Sequence, residues 1–384
     1  MATPAQLSAH WIAQQELNVA TTHYHYFIMN LQQAENQLRG RRVLVTGHTG
    51  FTGTWMQIWL DEIGAECYGL SFENKDEMSM NKFTNIKPKM EFIGDVADAS
   101  FVFNVFDQVK PEYVLHLAAQ PIVSLAYKDP FRTILSNALG TAVVLEACMR
   151  SQNLRTVVCV TTDKVYKNLE NGQRFVESDE LGGGDPYSAS KSAAEQIISV
   201  YSQVLKQGGN KLSLQVARGG NIVGGGDYSQ DRIIPDLVRS CLDDKPITVR
   251  QPDSTRPWQH VLSLAHGYIL LLAKDVCSDT NSFGAWNFGP IGDKNLKVSE
   301  IIEIFKQQWM NPKIEYSKAN YLESHDLGID SNKAKNLLNW SPKWNQEEIF
   351  TQTLAWYKKV HLDEVEALDF SREQLNQYRE LHSE

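Results

Sequence analysis

The chain has 384 residues, 42% of them hydrophobic and 22% charged, with a net charge of -9 at neutral pH. That length suffices for one large domain or two with a substantial core. The acidic balance argues against an extended nucleic-acid surface while allowing a local basic cleft. No apolar run reaches membrane-spanning length, and Met1 to Gln15 lacks the basic start and apolar core of a secretory signal. Five scattered cysteines (Cys67, Cys148, Cys159, Cys241 and Cys277) show no paired metal spacing, so no metal site is expected and a reducing cytoplasm fits.

Residues 1–39 read as an N-terminal extension, disordered or outside the native chain, with Met29 an alternative start. His23-Tyr24-His25-Tyr26-Phe27 offers two histidines, too few for a metal site. Arg42 to Thr46 then reads as a buried strand running into Gly47-His48-Thr49-Gly50-Phe51-Thr52-Gly53. Trp55, Ile58, Trp59 and Leu60 follow at helical spacing. Glycines between a strand and a helix let backbone approach a pyrophosphate, and the helix start supplies free N–H groups. A dinucleotide is therefore expected here. The next strand, Glu66 to Ser71, lacks the usual acid for the adenosine ribose. Ser71 offers one hydrogen bond, and no Arg stands ready for a 2′-phosphate, which favours NAD over NADP.

Glu91 to Gly94 and Tyr113 to Leu117 read as further strands, with a helix over Ala99 to Val109 between them. Such alternation predicts an α/β fold with a doubly wound parallel sheet, whose ligands gather at the strands' carboxyl ends. Asp95 falls there, either facing an adenine or capping the chain near Ala97. Ala118 and Ala119 leave room for a ribose. Val143, Val144 and Leu145 belong to the core or to a dimer face.

Thr156 to Val160 is a buried strand that delivers Thr161-Thr162-Asp163-Lys164-Val165-Tyr166. Asp185-Pro186-Tyr187-Ser188-Ala189-Ser190-Lys191 then opens a helix, with Asp185 as cap and Pro186 in the first turn. Tyr187 and Lys191 are four apart, about 6 Å along the axis on one face. An ammonium beside a phenol favours phenolate, which makes Tyr187 a base near neutral pH. Thr162 is placed to hold a substrate hydroxyl against it. A surface Tyr and Lys on an ordinary helix is the bland alternative; strand, Thr, loop and helix together outweigh it.

Leu212 to Ala217 is another buried strand, followed by the irregular, glycine-rich run from Arg218 to Asp227. A helix starts near Asp231-Arg232. Arg250 and Arg256-Pro257-Trp258-Gln259-His260-Val261 bring cations and an indole together, suited to a phosphate and a sugar or base, or else to salt bridges and core. Trp286 to Pro290 reads as a strand and turn. Ser299 to Phe305 and Lys333 to Trp340 read as amphipathic helices, with Trp340, Trp344 and Trp356 as core.

From about Gly40 to Tyr357 the chain resembles the extended short-chain dehydrogenase/reductase superfamily, and within it is most similar to the CDP-glucose 4,6-dehydratases. The resemblance rests on Thr46-Gly47-His48-Thr49-Gly50-Phe51, His116-Leu117-Ala118-Ala119-Gln120-Pro121, Thr162-Asp163-Lys164-Val165-Tyr166, Asp185-Pro186-Tyr187-Ser188, Gly224-Gly225-Gly226-Asp227 and Arg256-Pro257-Trp258-Gln259-His260-Val261. Thr52 departs from it, where relatives often carry Lys.

The resemblance implies a Rossmann-like NAD-binding half over 40–217, an interleaved sugar-nucleotide lobe over 218–360, a tail over 361–384 and a homodimer. It implies cofactor contacts from Gly47, His48, Gly50, Phe51, Gly53, Ser71, Asp95, Val96, Leu117, Ala118, Ala119, Tyr187 and Lys191. Substrate contacts would come from Gln120, Asn137, Arg218, Asn221, Arg232, Arg250, Arg256 and His260. Catalysis would fall to Thr162, Asp163, Lys164, Tyr187 and Lys191, with Asp163 as acid and Lys164 as base in converting CDP-glucose to its 4-keto-6-deoxy product. Alternatives are a nucleotide-sugar 4-epimerase, which needs no such acid–base pair, and an inactive NAD-binding interaction protein.

Overall fold

The computed structural model describes residues 29–73, 78–209, 211–274, 283–290, 296–317 and 327–382. Its centre is a seven-stranded sheet. In chain order the strands are β1 (Arg42–Thr46), β2 (Glu66–Ser71), β3 (Met90–Ile93), β4 (Tyr113–His116), β5 (Thr156–Val160), β6 (Ser213–Gly219) and β7 (Phe283–Phe288). In space they run β7-β6-β5-β4-β1-β2-β3, and every pairing is parallel. The order reverses between β1 and β4, which opens a crevice at their carboxyl ends.

Apolar residues on both faces of the central strands explain why the sheet is covered on both sides there, whereas the edge strand β3 is largely exposed. Val43 and Val45 of β1 pack into one core with Trp55, Ile58 and Trp59. Leu44, between them, joins the opposite core with Val102, Val105, Val144 and Ile198. Val143, Val144 and Leu145 are buried within the chain, so they are core and not a dimer face. The helix Val261–Ala273 is buried along its whole length, as its nearly continuous apolar sequence requires.

The segment before Gly40 is an integral part of this core from Leu31 onward. Leu31–Leu38 is a helix opened by a capping box between Asn30 and Gln33. It buries Leu31, Ala34 and Leu38. Its Glu35 is buried too, accepting from Trp59 Nε1 at 2.8 Å and pairing with Arg379 at 2.7 Å. The expected appendage is thus corrected for these residues, and the reason is an amphipathic stripe too short to stand out. His23 to Phe27 lies outside the described residues. At the other end, the tail holds a helix, Ala367–Glu380, that buries Phe370, Leu375 and Tyr378.

A smaller lobe is made of excursions from the sheet. Ile247–Val249 pairs with Ile314–Tyr316, and Thr255–Arg256 pairs with Leu296–Lys297. Between them β7 returns to the main sheet beside β6, so the two parts are interleaved. Trp340, Trp344 and Trp356 are buried in the core, as expected. Among the described residues no helix is long and apolar enough to cross a membrane.

Candidate active site

At the carboxyl ends of the strands lies a cavity of about 610 Å³. One wall is the glycine turn. Gly47 has φ +75°, and a Cβ there would meet Ala118 N at 2.8 Å. A Cβ on Gly53 would sit 2.1 Å from Gly47 O. Both positions require glycine because backbone passes over backbone. The helix Phe51–Glu62 starts with Gly50, which offers no side-chain cap, and Gly50 to Gly53 all line the cavity. Uncapped N–H groups at a helix start, in a cradle any side chain would fill, suit an anionic group such as a pyrophosphate.

Farther along this wall Ser71 accepts from the Thr49 hydroxyl at 2.8 Å. Asp95 makes the expected cap and also lines the cavity. One oxygen caps Ala97 N at 3.0 Å; the other accepts from Arg132 at 2.6 Å while the residue lines the cavity. Against the effect of partial burial, the Arg132 and Ala97 hydrogen bonds hold this carboxyl below its ordinary range. The Arg132 guanidinium also lies 5.4 Å from the Phe72 ring centre. Val96, Leu117, Ala118 and Ala119 complete the wall.

The floor is built by β5 and the helix Pro186–Gln207. Beyond Thr161 the chain turns tightly over Asp163–Val165. Thr162 Oγ1 accepts from Lys164 N at 3.3 Å and donates to Asp163 Oδ1 at 3.0 Å. Asp163 is 1% exposed, and its Oδ2 has no hydrogen-bond partner among the described residues. Burial pushes this carboxyl up to about 6, against the pull of Lys164, Thr162 and Arg256. Asp185 caps the helix by accepting from Tyr187 N and Ser188 N at 2.9 and 3.0 Å. Pro186 opens its first turn, as the sequence predicts. Thr162, Asp163, Lys164, Tyr187 and Lys191 all line the one cavity.

The electrostatics of the phenol differ from expectation. Lys191 donates to Val160 O at 3.1 Å, and burial lowers its pKa to about 8. Burial pushes Tyr187 up to about 12; a hydrogen bond with Thr162 and the Arg232 guanidinium oppose it, while the Asp163 and Asp185 charges add to it. Shared helix face brings Lys191 near Tyr187, but the strand carbonyl claims its ammonium.

The opposite wall carries cations, each with a partner. Arg232 pairs with Asp227 at 2.9 Å. Arg250 pairs with Asp231 at 2.8 Å, and the other Asp231 oxygen accepts from Ser124 at 2.5 Å. Arg256 donates to Thr255 O at 2.8 Å. Asn221 and Trp258 also face the cavity.

A family model described as GDP-mannose 4,6 dehydratase matches residues 44–353. The chain is 35% identical over 337 residues to the CDP-glucose 4,6-dehydratase of Salmonella typhimurium, covering 84% of this chain and 92% of that one. The chain belongs to the GDP-mannose 4,6 dehydratase family. It is also 26% identical to the human dTDP-D-glucose 4,6-dehydratase, over 83% of this chain and 90% of the relative. In fold it is similar to the dTDP-glucose 4,6-dehydratase of Bacillus anthracis solved with NAD, with a TM-score of 0.69, 22% identity, and 85% and 99% of the two chains covered.

Within this member of the GDP-mannose 4,6 dehydratase family, five expected contacts lie off the cavity. His48 is fully buried and bonds Glu91 at 2.8 Å, because the turn folds its ring beneath Gly69. Gln120 turns its amide onto Ile122 and Thr133. Asn137 clamps the Gln120 backbone to Ser190. Arg218 is spent on a buried pair with Glu195. His260 caps the buried helix Val261–Ala273 through Leu262 N. None of the five lines the cavity. Arg132, Ser124, Asp227 and Asp231 do, and the sequence reading assigned them no role. Asp227 and Asp231 had local signals, the first ending the glycine-rich run and the second standing where a helix was expected to begin; Asp231 adopts φ +59° there.

Proposed function

We propose that this chain converts CDP-glucose to CDP-4-keto-6-deoxyglucose, as an NAD-dependent 4,6-dehydratase. The observation that carries this reading is the cavity shared by Tyr187 and the Thr162-Asp163-Lys164 turn, with a buried Asp163 oxygen at its floor that has no hydrogen-bond partner among the described residues. An epimerase needs the phenol but has no use for an acid and an amine side by side.

The cradle fits NAD: Gly47, Gly50, Phe51 and Gly53 would hold the pyrophosphate, and Ser71, Asp95, Val96 and Leu117–Ala119 the adenosine side. When bound, NAD would supply the hydride acceptor for C4 of the hexose and the hydride donor for C6. The chain's own residues do the rest. Thr162 orients the 4-hydroxyl and Tyr187 removes its proton. The resulting ketone acidifies C5–H, whose proton Lys164 removes and later returns to C5 as C6 takes the hydride. Asp163 protonates the departing 6-hydroxyl as water. Burial favours the protonated carboxyl this last step requires. Lys191 anchors the strand end beside the cofactor. Asn221, Arg232, Arg250 and Arg256 would grip the diphosphate and nucleoside, with Arg232 and Arg250 exchanging carboxylate partners for phosphate.

On this reading 40–217 is mainly the cofactor half and 218–360 mainly the sugar-nucleotide half. A homodimer is supported by apolar side chains exposed on the helices of the first half, among them Phe131, Ile134, Leu139 and Val200. Free thiols at Cys67, Cys148, Cys159 and Cys241 support the cytoplasm as its compartment.

Incubation with NAD and CDP-, dTDP-, GDP- or UDP-hexoses tests the proposal. A 4-keto product lighter than its substrate by one water, formed fastest from CDP-glucose, is expected. An isomer of unchanged mass would show the epimerase instead.

A further inference from the structure

Behind the Thr161 wall lies a charged cluster for which the chemistry above has no use. The Arg218 and Glu195 side chains are 5% and 4% exposed. Arg218 Nε donates to the two Glu195 oxygens at 2.9 and 3.1 Å, and Nη2 donates to Oε2. Glu195 Oε1 also accepts from Thr161 Oγ1 at 2.7 Å. Arg218 Nη1 donates to the Tyr166 hydroxyl at 2.8 Å. That hydroxyl donates in turn to Asn287 Oδ1 at 2.6 Å.

Thr161 and Tyr166 bracket the turn that carries Thr162, Asp163 and Lys164, so both of its ends are tied to one ion pair. Glu195 lies one helical turn past Lys191 and two past Tyr187. Arg218 stands on β6, one residue beyond the Ala217 that pairs with Val160 of β5. The pair therefore locks the turn, the Tyr187 helix and the sheet to one another. Stability alone does not call for it, since apolar residues of similar volume often replace a buried ion pair without loss. What a guanidinium fork supplies besides distance is angle.

We propose that Glu195 and Arg218 are positioning residues for the elimination half of the reaction, holding Asp163 and Lys164 over the hexose that Tyr187 addresses. The inference rests on the dehydratase reading. Tyr187 is placed independently by its capped helix. The Asp163 Oδ2 atom has no partner among the described residues, so the turn's backbone and the Thr162 hydrogen bond to Oδ1, itself within the turn, set its direction. Thr162 is also held by its hydrogen bond with Tyr187, so slack in the turn falls on Asp163 and Lys164.

Single turnovers of the NAD-loaded enzyme with CDP-glucose separate the two halves, because reduced nicotinamide absorbs where the oxidised form does not. Three variants apply: Glu195→Gln, Tyr166→Phe, and the double variant Glu195→Leu with Arg218→Met. Tyr166→Phe keeps the ring stack on Phe175 at 4.8 Å and so preserves the fold if Glu195→Gln does not. Overall turnover should fall roughly 10- to 100-fold, while C4 oxidation stays within about threefold of wild type. Reduced cofactor should then accumulate in the variants and not in wild type. Equal loss of both halves, or no loss, in variants that keep the wild-type melting temperature would overturn the assignment. A wild-type protein that makes no 4-keto product overturns the dehydratase reading itself, and this inference with it.

Discussion

On the proposed reading, the cofactor side and the sugar side of the cavity are built by opposite means. On the glycine wall the work falls to backbone: Gly47 and Gly53 exist as glycines because a Cβ at either would strike main chain. On the sugar side it falls to ionisable side chains. Arg232 and Arg250 take their state from carboxylates five and 19 positions away, and Asp163 takes its state from burial. The first wall is a steric device that works or fails as a unit. The second is an electrostatic device whose parts can be retuned one at a time.

The sharpest test of this contrast is on the sugar side. Tyr187→Phe should lower turnover by roughly a thousandfold or more with an unchanged melting temperature, since only one proton-transfer group is lost. Steady-state assays beside thermal melts would show it, and a residual rate near wild type would end the base assignment. Arg218→Ala should act differently, costing about 3–5 kcal/mol of stability by stranding Glu195 in the interior. Denaturant titration reads that cost. Gly53→Ala probes the opposite wall. Its Cβ would overlap Gly47 O, so about 2–4 kcal/mol should be lost, and cofactor affinity with it. A variant that binds NAD normally would show that the turn yields more easily than its geometry implies.

Asp163 supplies a pH-dependent case. Its folded pKa of about 6 lies above the ordinary 3.8, so its contribution to stability is full below 3.8 and is lost as pH rises through about 6. Asp163→Asn should therefore stabilise the protein above neutrality by about 2–3 kcal/mol. The gain should vanish as pH falls through that window, while elimination is lost throughout. Melting temperatures of both proteins across pH would reveal the trend; a constant offset would contradict it. The smallest effect belongs to Arg250→Ala. Its partly exposed pair with Asp231 should matter by less than about 1 kcal/mol to the fold. The KM for a nucleotide sugar should still rise by about tenfold.

The same contrast explains what the sequence revealed. The glycine turn, the Asp185 and Pro186 helix start, β5 and the Tyr187 to Lys191 spacing are local patterns, and each stands where the pattern put it. Arg218 and Arg250 read alike in one dimension. Glu195 claims Arg218 from 23 positions away, whereas Arg250 reaches the cavity. Asn137 and Gln120 were expected as ligands through the family resemblance, yet the Asn137 side chain is spent on the Gln120 backbone. Arg132 went unremarked because its partner, Asp95, is 37 residues away. Leu31–Leu38 was missed for a related reason: eight residues carry too little periodicity without the helix Val261–Ala273 beside them.

The central claim is that one cavity carries out oxidation and elimination on the same hexose. CDP-glucose bearing deuterium at C4 puts that claim to the test. The account predicts that the label leaves C4 and reappears in the C6 methyl group of the 4-keto product. Label still at C4 of an unoxidised sugar, or a product with unchanged mass, would contradict it.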